Sequence, residues 1–400
     1  MVDQKKNSQS KKKVILCFIK YYLPGYRSGG PVRSIVNFVE KFSDVYDIRI
    51  VCSSHDAIDN QPYDNIIINE WNQVGKAKVF YVSNNIIKFK KIFDLLNEPK
   101  YDVVYFNSFF TFTFSIFPLL LKYFKFIDLK SCIIAPRGQF SVNAIKIKKI
   151  KKLIYILFAK IIGLYKNVCW QASSKLELDD IKRVIGVTAK NIQIAPDLNF
   201  LKWSVHNKLP YQRKDILKIV FLSRISPMKN LDFLINTLAE VSYPLELSIL
   251  GPKEDLHYWD VCKKLMDKLP NYIKVNIGGE VFPEEVQETF SKYDLFVFPT
   301  RGENFGHVIP EALSVGTPIL LSNQTSWKQD KSLGIQILPL NENEWIKAIE
   351  EWANLSHDKL LTRKQAALDY AKKIKLDNEN SIYKNKCLFE DIENYKISIS

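Results

Sequence analysis

A chain of 400 residues has room for about two domains, because a single hydrophobic core stops growing near ~150–200 residues. Hydrophobic residues make up 46% and charged residues 25%, a balance that excludes a wholly disordered or fibrous chain. The formal charge of +14 sits in one half: residues 1–200 hold 31 basic and 16 acidic side chains, and residues 201–400 hold 26 and 27. Basicity confined to one half suggests a docking surface for something anionic. That partner could be a phospholipid headgroup layer or nucleic acid, and because no nucleic-acid module accompanies the charge, nucleic acid is not expected.

The N-terminal KKNSQSKKKVILCFIKYY resembles a signal peptide, but its apolar run Val14–Ile19 stops at Lys20, short of the ~7–15 residues an h-region needs. A first core strand is expected there. Further strands are expected at Asp47–Cys52, Lys78–Val82, Val103–Phe106, Cys132–Ala135, Val168–Gln171 and Ile192–Ala195. Helices are expected between them at Val32–Phe42, Ile86–Leu96, Ser141–Leu164 and Ser174–Ile185. Val103–Leu121 is uncharged but contains Asn107, Ser108, Thr111, Thr113, Ser115 and Pro118. It reads as strand, loop and helix rather than a membrane span.

A polar stretch, Trp203–Asp215, interrupts the alternation. Strands then resume at Ile216–Leu222, Leu245–Leu250, Ile273–Asn276, Leu295–Pro299 and Pro318–Ser322. Interleaved helices are expected at Asn230–Val241, Asp255–Leu269, Glu284–Ser291 and Pro310–Val315, and residues 342–395 read as helical. Two blocks of alternating β and α predict an α/β fold of two doubly wound parallel sheets facing across a cleft. The division expected is 1–205 and 206–375, with a last helix near 376–400 packing back on the first domain. Ligands of such sheets bind on the loops just after strands.

Three such loops carry chemistry. Within FVFPTRGENFGHVIPEALSVGTPIL (296–320), Glu303 lies in a loop and Glu311 on the first turn of the next helix. Each carboxylate can accept two hydroxyl hydrogen bonds, which suits a sugar and a ribose, and amides of Phe305, Gly306 and His307 can meet an anion. Within KIVFLSRISPMKNLDFLI (218–235), Arg224 and Lys229 flank a helix entry, a cradle for a diphosphate. Within YYLPGYRSGGPVRSIVNF (21–38), Gly29 and Gly30 allow backbone to approach a ligand, without a dinucleotide G-x-G-x-x-G. The cysteines at 17, 52, 132, 169, 262 and 387 form no C-x-x-C, and no H-E-x-x-H or D-x-D occurs. Neither a metal nor any other cofactor is therefore expected.

Together, E-N-F-G-H-V-I-P-E-A-L, S-R-I-S-P-M-K-N, the Gly29–Gly30 loop and residues 278–299 resemble a retaining glycosyltransferase of the GT-B fold, family four. A-P-R-G-Q-F at 135–140 is the best local match in the first half. The resemblance implies sugar transfer from a nucleoside-diphosphate sugar, of the hexosyl type and without metal. Glu303, Asn304, Phe305 and Gly306, beside His307, would hold the donor sugar, Glu311 the ribose, Arg224 and Lys229 the diphosphate, and backbone at Gly279, Glu280 and Val281 the base. The leaving diphosphate would help deprotonate the acceptor on the same face of the sugar. The acceptor and phosphate side would involve Gly29, Gly30, Asn107 and Arg137. Two departures fall there: Asn107-Ser108 where many members have His, and Pro196-Asp197-Leu198 where many have P-N-G. The other readings are a GT-B protein that binds a nucleotide sugar or a lipid without turnover, and a GT-B epimerase or phosphorylase. IKIKKIKKLIYILFAKIIGLY (145–165) interleaves lysines with apolar residues, which predicts a helix lying in an anionic headgroup layer. The expectation is a peripheral protein on the cytoplasmic membrane face, acting on a lipid-linked acceptor in surface polysaccharide assembly.

Overall fold

A computed structural model describes residues 11–391, apart from 58, 60, 99–100, 130, 187–190, 200–215 and 330–332. The polar stretch 203–215, the boundary expected at 205/206 and residues 392–400 lie outside the described residues.

The first sheet contains β1 (Lys13–Phe18), β2 (Tyr46–Ser53), β3 (Trp71–Val74), β4 (Ala77–Val82), β5 (Val103–Phe106), β6 (Cys132–Ile134), β7 (Cys169–Ala172) and β8 (Ile192–Ile194). Their order is β3-β4-β2-β1-β5-β6-β7-β8, parallel except for the β3–β4 pair. β5 is apolar along its whole length, and β1 from Val14 onward, because helices cover both faces of a parallel sheet. The second sheet contains β9 (Leu217–Leu222), β10 (Leu245–Leu250), β11 (Ile273–Ile277), β12 (Leu295–Phe298), β13 (Ile319–Ser322) and β14 (Ile335–Leu338), in the order β11-β10-β9-β12-β13-β14. Both sheets are doubly wound. The direction of winding reverses between β1 and β5 in one and between β9 and β12 in the other, and ligand crevices open at such switch points.

Two edge strands were not anticipated. β3 is four residues long, half-exposed and joined to β4 by Gly75-Lys76, with Gly75 at φ 55°; β14 is equally short. The single helix expected over Ser141–Leu164 is two helices, Val142–Lys146 and Lys149–Ile161. Ile147 is extended and Lys148 has φ 55°, a left-handed conformation that ends one helix before the next begins. The apolar Val103–Leu121 stretch resolves into β5, a π-helical turn at Phe112–Ile116 and the start of helix Phe117–Tyr123. Among the described residues no helix is long and apolar enough to cross a membrane.

The last helix, His357–Glu390, is about 50 Å long at ~1.5 Å per residue and belongs to both halves. Ala367 and Ala371 pack in the second domain's core, whereas Leu388 and Phe389 pack in the first domain's core. Asn385 donates to the carbonyl of Pro196, and Lys13 donates to that of Phe389. The last helix thus returns to the first domain, where its final turn meets the first strand.

Candidate active site between the two domains

The loops at the two switch points face one another across a cleft of about 480 Å³, within the ~300–1,000 Å³ of small-molecule sites. From the second domain come the loop after β9, with Arg224 and Lys229, and the loop after β12, with Glu303 to His307. Glu311 on helix Val308–Ser314, together with Glu280 and Val281, completes that wall. From the first domain come Tyr26 to Ser34, including Gly29 and Gly30, and Arg137 with Gly138.

Lys229 and Glu303 form the centre. The Lys229 Nζ lies 2.5 Å from Glu303 Oε2, with side-chain exposures of 9% and 18%. Burial raises the carboxyl's affinity for a proton, but Lys229, Arg224 and the Asn304 amide more than offset it, so Glu303 is held below the usual carboxylate range. Its loop conformation depends on Gly306, at φ 71°, where a Cβ would come within 2.7 Å of the Glu303 side chain. Arg224 pairs with Glu254 at 2.7 Å and sits beside Gly29, which also has positive φ.

Glu311 is buried, and burial pushes its carboxyl up to about 7 even though Arg33 opposes the shift. His307, one turn earlier, is pushed down to about 4, chiefly by burial, and is therefore neutral at physiological pH. Its Nε2 lies 3.1 Å from the Ser34 Oγ. Further contacts tie the domains together: the Arg27 Nε and Tyr26 hydroxyl donate to Glu280, and the Ser173 hydroxyl donates to Asn304.

Two sequence-derived site residues do not line the cleft. Gly279 is exposed outside the lining, and its carbonyl accepts from the Gly251 amide. Asn107 is buried, with its amide donating to the Pro31 carbonyl and its oxygen accepting from Arg137 Nε at 2.5 Å. Arg137 itself reaches the cleft, but its guanidinium is committed to the protein: it pairs with Asp197 and donates to Asn107 and Tyr105. The two departures from the family pattern, Asn107 and Asp197, therefore meet on one buried cation. Arg27, Arg33 and Ser34 were missed as site residues. Their signal was available, since Arg33 follows the glycine pair by one helical turn and so shares its face.

Residues 206–363 match the family model described as glycosyl transferases group 1. An uncharacterized 41.2 kDa protein in the cps region of Klebsiella pneumoniae is 25% identical over 271 residues, spanning 66% of this chain and 71% of that one. Among solved structures, Anabaena Alr3699/HepE in complex with UDP and glucose superposes with TM-score 0.67 at 14% identity, covering 94% of this chain and 100% of that one. WaaG, a glycosyltransferase involved in lipopolysaccharide biosynthesis, does so with TM-score 0.63 at 14% identity, over 90% and 95% of the two chains. The chain thus carries a glycosyl transferases group 1 domain in its second half, and as a whole it adopts the two-domain GT-B fold.

Proposed function

We propose that the protein is a retaining glycosyltransferase that moves a sugar from a nucleoside-diphosphate sugar to a saccharide acceptor, with no metal. The observation that carries this reading is the Lys229–Glu303 pair at the second domain's switch point, flanked by Arg224 and facing the glycine loop across one cleft. Lys229 and Arg224 would stabilise the negative charge that develops on the leaving diphosphate, and fixed cations in a partly desolvated cleft need little reorganisation to do so. Glu303, held ionised, would accept hydroxyl hydrogen bonds from the transferred sugar, and Glu311 those of the ribose. The UDP and glucose bound to the similar HepE support a nucleotide-sugar donor.

A panel of nucleotide sugars, read by nucleoside diphosphate release and product analysis, tests the reading. Transfer with retained anomeric configuration is the expected result; tight donor binding without turnover would instead identify a binding protein. Because the diphosphate has cations of its own, transfer is expected to survive EDTA. Loss of activity in EDTA that Mn²⁺ or Mg²⁺ restores would overturn this account of the phosphate site.

The acceptor is proposed to be lipid-carried and met at an anionic membrane. Support comes from helix Lys149–Ile161, which leaves Ile150, Leu153, Ile154, Leu157, Phe158 and Ile161 exposed while Ile156 and Ala159 face the core. Six apolar side chains at helical spacing on an outer face are suited to the acyl–headgroup boundary. Lys146, Lys148, Lys149 and Lys151 are exposed beside them, each contributing about 1 kcal/mol near an anionic surface. Lys152, expected on the same basic edge, turns inward and donates to the Ala144 carbonyl. The sequence relative in a cps region and the fold relative WaaG support surface polysaccharide assembly as the setting. The protein is expected to sediment with anionic vesicles at low salt and to release near 1 M, where the Debye length is ~3 Å. Gln at positions 146, 148, 149 and 151 should weaken sedimentation and leave donor affinity unchanged. Wild type remaining in the supernatant at low salt would end the membrane proposal.

A further inference from the structure

We propose that Arg33 is a positioning residue for the donor: from the opposite wall of the cleft it pairs with the Glu311 carboxylate, aiming it and favouring its ionised form, so that donor binding requires the first domain to be docked. The proposal rests on the reading of Glu311 as the holder of the donor's ribose.

The geometry is a paired contact between two helix starts. Arg33 lies on the first turn of helix Gly30–Phe42, and its guanidinium nitrogen is 3.0 Å from Glu311 Oε1. One residue on, the Ser34 Oγ is 3.1 Å from the Nε2 of His307. Consecutive residues of one domain thus hold positions 307 and 311 of the other, one helical turn apart on the same face. The Arg33 contact uses a single nitrogen and a single carboxylate oxygen. An ionised carboxylate offers about four lone-pair sites, so a ribose diol can be accepted without expelling Arg33.

Glu311 needs a cation for this task. A protonated carboxyl has a donor where a diol requires an acceptor, and the Glu311 side chain is only 11% exposed. Burial pushes it toward protonation and Arg33 is what opposes burial. The other charged groups around it are committed elsewhere. Lys229 pairs with Glu303 and Arg137 with Asp197, while His307 is neutral. On the two helices packed against Val308–Ser314, Glu288 pairs with Lys292, Lys364 donates to the Tyr293 carbonyl and Arg363 pairs with Glu351. Removing Arg33 therefore leaves a buried carboxylate without its cation, and its protonation moves to higher pH.

The test measures binding of UDP, ADP, GDP, CDP and dTDP by full-length wild type, Arg33→Gln, Arg33→Lys and Glu311→Gln between pH 6.5 and 9. For the diphosphate that binds best, Arg33→Gln is expected to raise Kd by about tenfold or more near neutral pH. The defect should shrink as pH rises, because Glu311 then ionises without Arg33, and Arg33→Lys should restore most of the affinity. A merely structural loss would lack that pH dependence. Affinity of Arg33→Gln equal to wild type at every pH, or tighter, while Glu311→Gln binds weakly, overturns the proposal and leaves the ribose reading standing. If Glu311→Gln binds as wild type, or if none of the diphosphates binds wild type, the ribose reading fails and the proposal falls with it.

Discussion

Lys229→Ala and Glu303→Ala are each expected to lower kcat/KM for sugar transfer by roughly 30- to 900-fold, about 2–4 kcal/mol of transition-state stabilisation. The two side chains form one unit, 2.5 Å apart at the carboxyl ends of the second sheet's central strands. Loss of Lys229 acts twice. On the proposed donor reading it removes a fixed cation from the site of developing phosphate charge, and it removes the principal group holding Glu303 ionised against burial. In wild type the depressed Glu303 carboxyl stays charged as pH falls through the ordinary carboxylate range, so no acid limb should arise from it near neutrality. In Lys229→Ala the Glu303 titration moves upward, and an acid limb should shift toward neutral pH. Because the pair acts as a unit, the double variant should lose far less than the sum of the singles. Rates within threefold of wild type in a folded single variant would sink the assignment. Glu303→Gln keeps the side-chain shape and removes the charge, which separates electrostatics from packing.

Asp197→Ala is expected to destabilise the first domain by about 3–5 kcal/mol, because it leaves the Arg137 guanidinium buried without its counter-ion. Side-chain exposures of the pair are 7% and 5%, and Arg137 also donates to Asn107 and Tyr105. Tyr105 in turn donates to Gln171, whose amide donates to the Ala195 carbonyl and to Asn385 of the last helix. The network therefore ties the cleft floor to the returning C-terminal helix, and its loss should lower the thermal transition by several degrees or more. Replacing both partners by apolar residues of similar size, Arg137→Met with Asp197→Leu, should cost less than either single change, since no uncompensated charge remains. A loss below about 1 kcal/mol for Asp197→Ala would show that water or another group takes over the pairing.

Much of the fold was legible because parallel strands covered on both faces are written as short uninterrupted apolar runs. All twelve expected strands correspond to observed ones, within a residue or two at the ends. What escaped were β3 and β14, four-residue edge strands whose half-exposed pattern leaves little periodicity to read. The break at Ile147–Lys148 escaped too. Neither glycine nor proline marks it, and the apolar and basic pattern continues across it.

The second domain's wall of the cleft was legible for a local reason. Arg224, Lys229, Glu303 and Glu311 each sit in or just after a loop that follows a core strand, and within each pair, Arg224 with Lys229 and Glu303 with Glu311, the spacing along the chain is short. The first domain's wall was not. Arg137, Asn107 and Asp197 come from loops after β6, β5 and β8, and only the assembled sheet shows that they satisfy one another. Likewise, nothing in the sequence pairs Arg33 with Glu311, 278 positions away. Hydrophobic periodicity by itself determined two doubly wound sheets and which loops could carry chemistry, because it records how each segment is buried. Which charges meet across the cleft, which lysine turns inward and where the last helix docks were decided by the tertiary structure alone. Those pairings depend on the approach of surfaces that are far apart in the chain, and a buried charge is tolerated only where that approach supplies its partner.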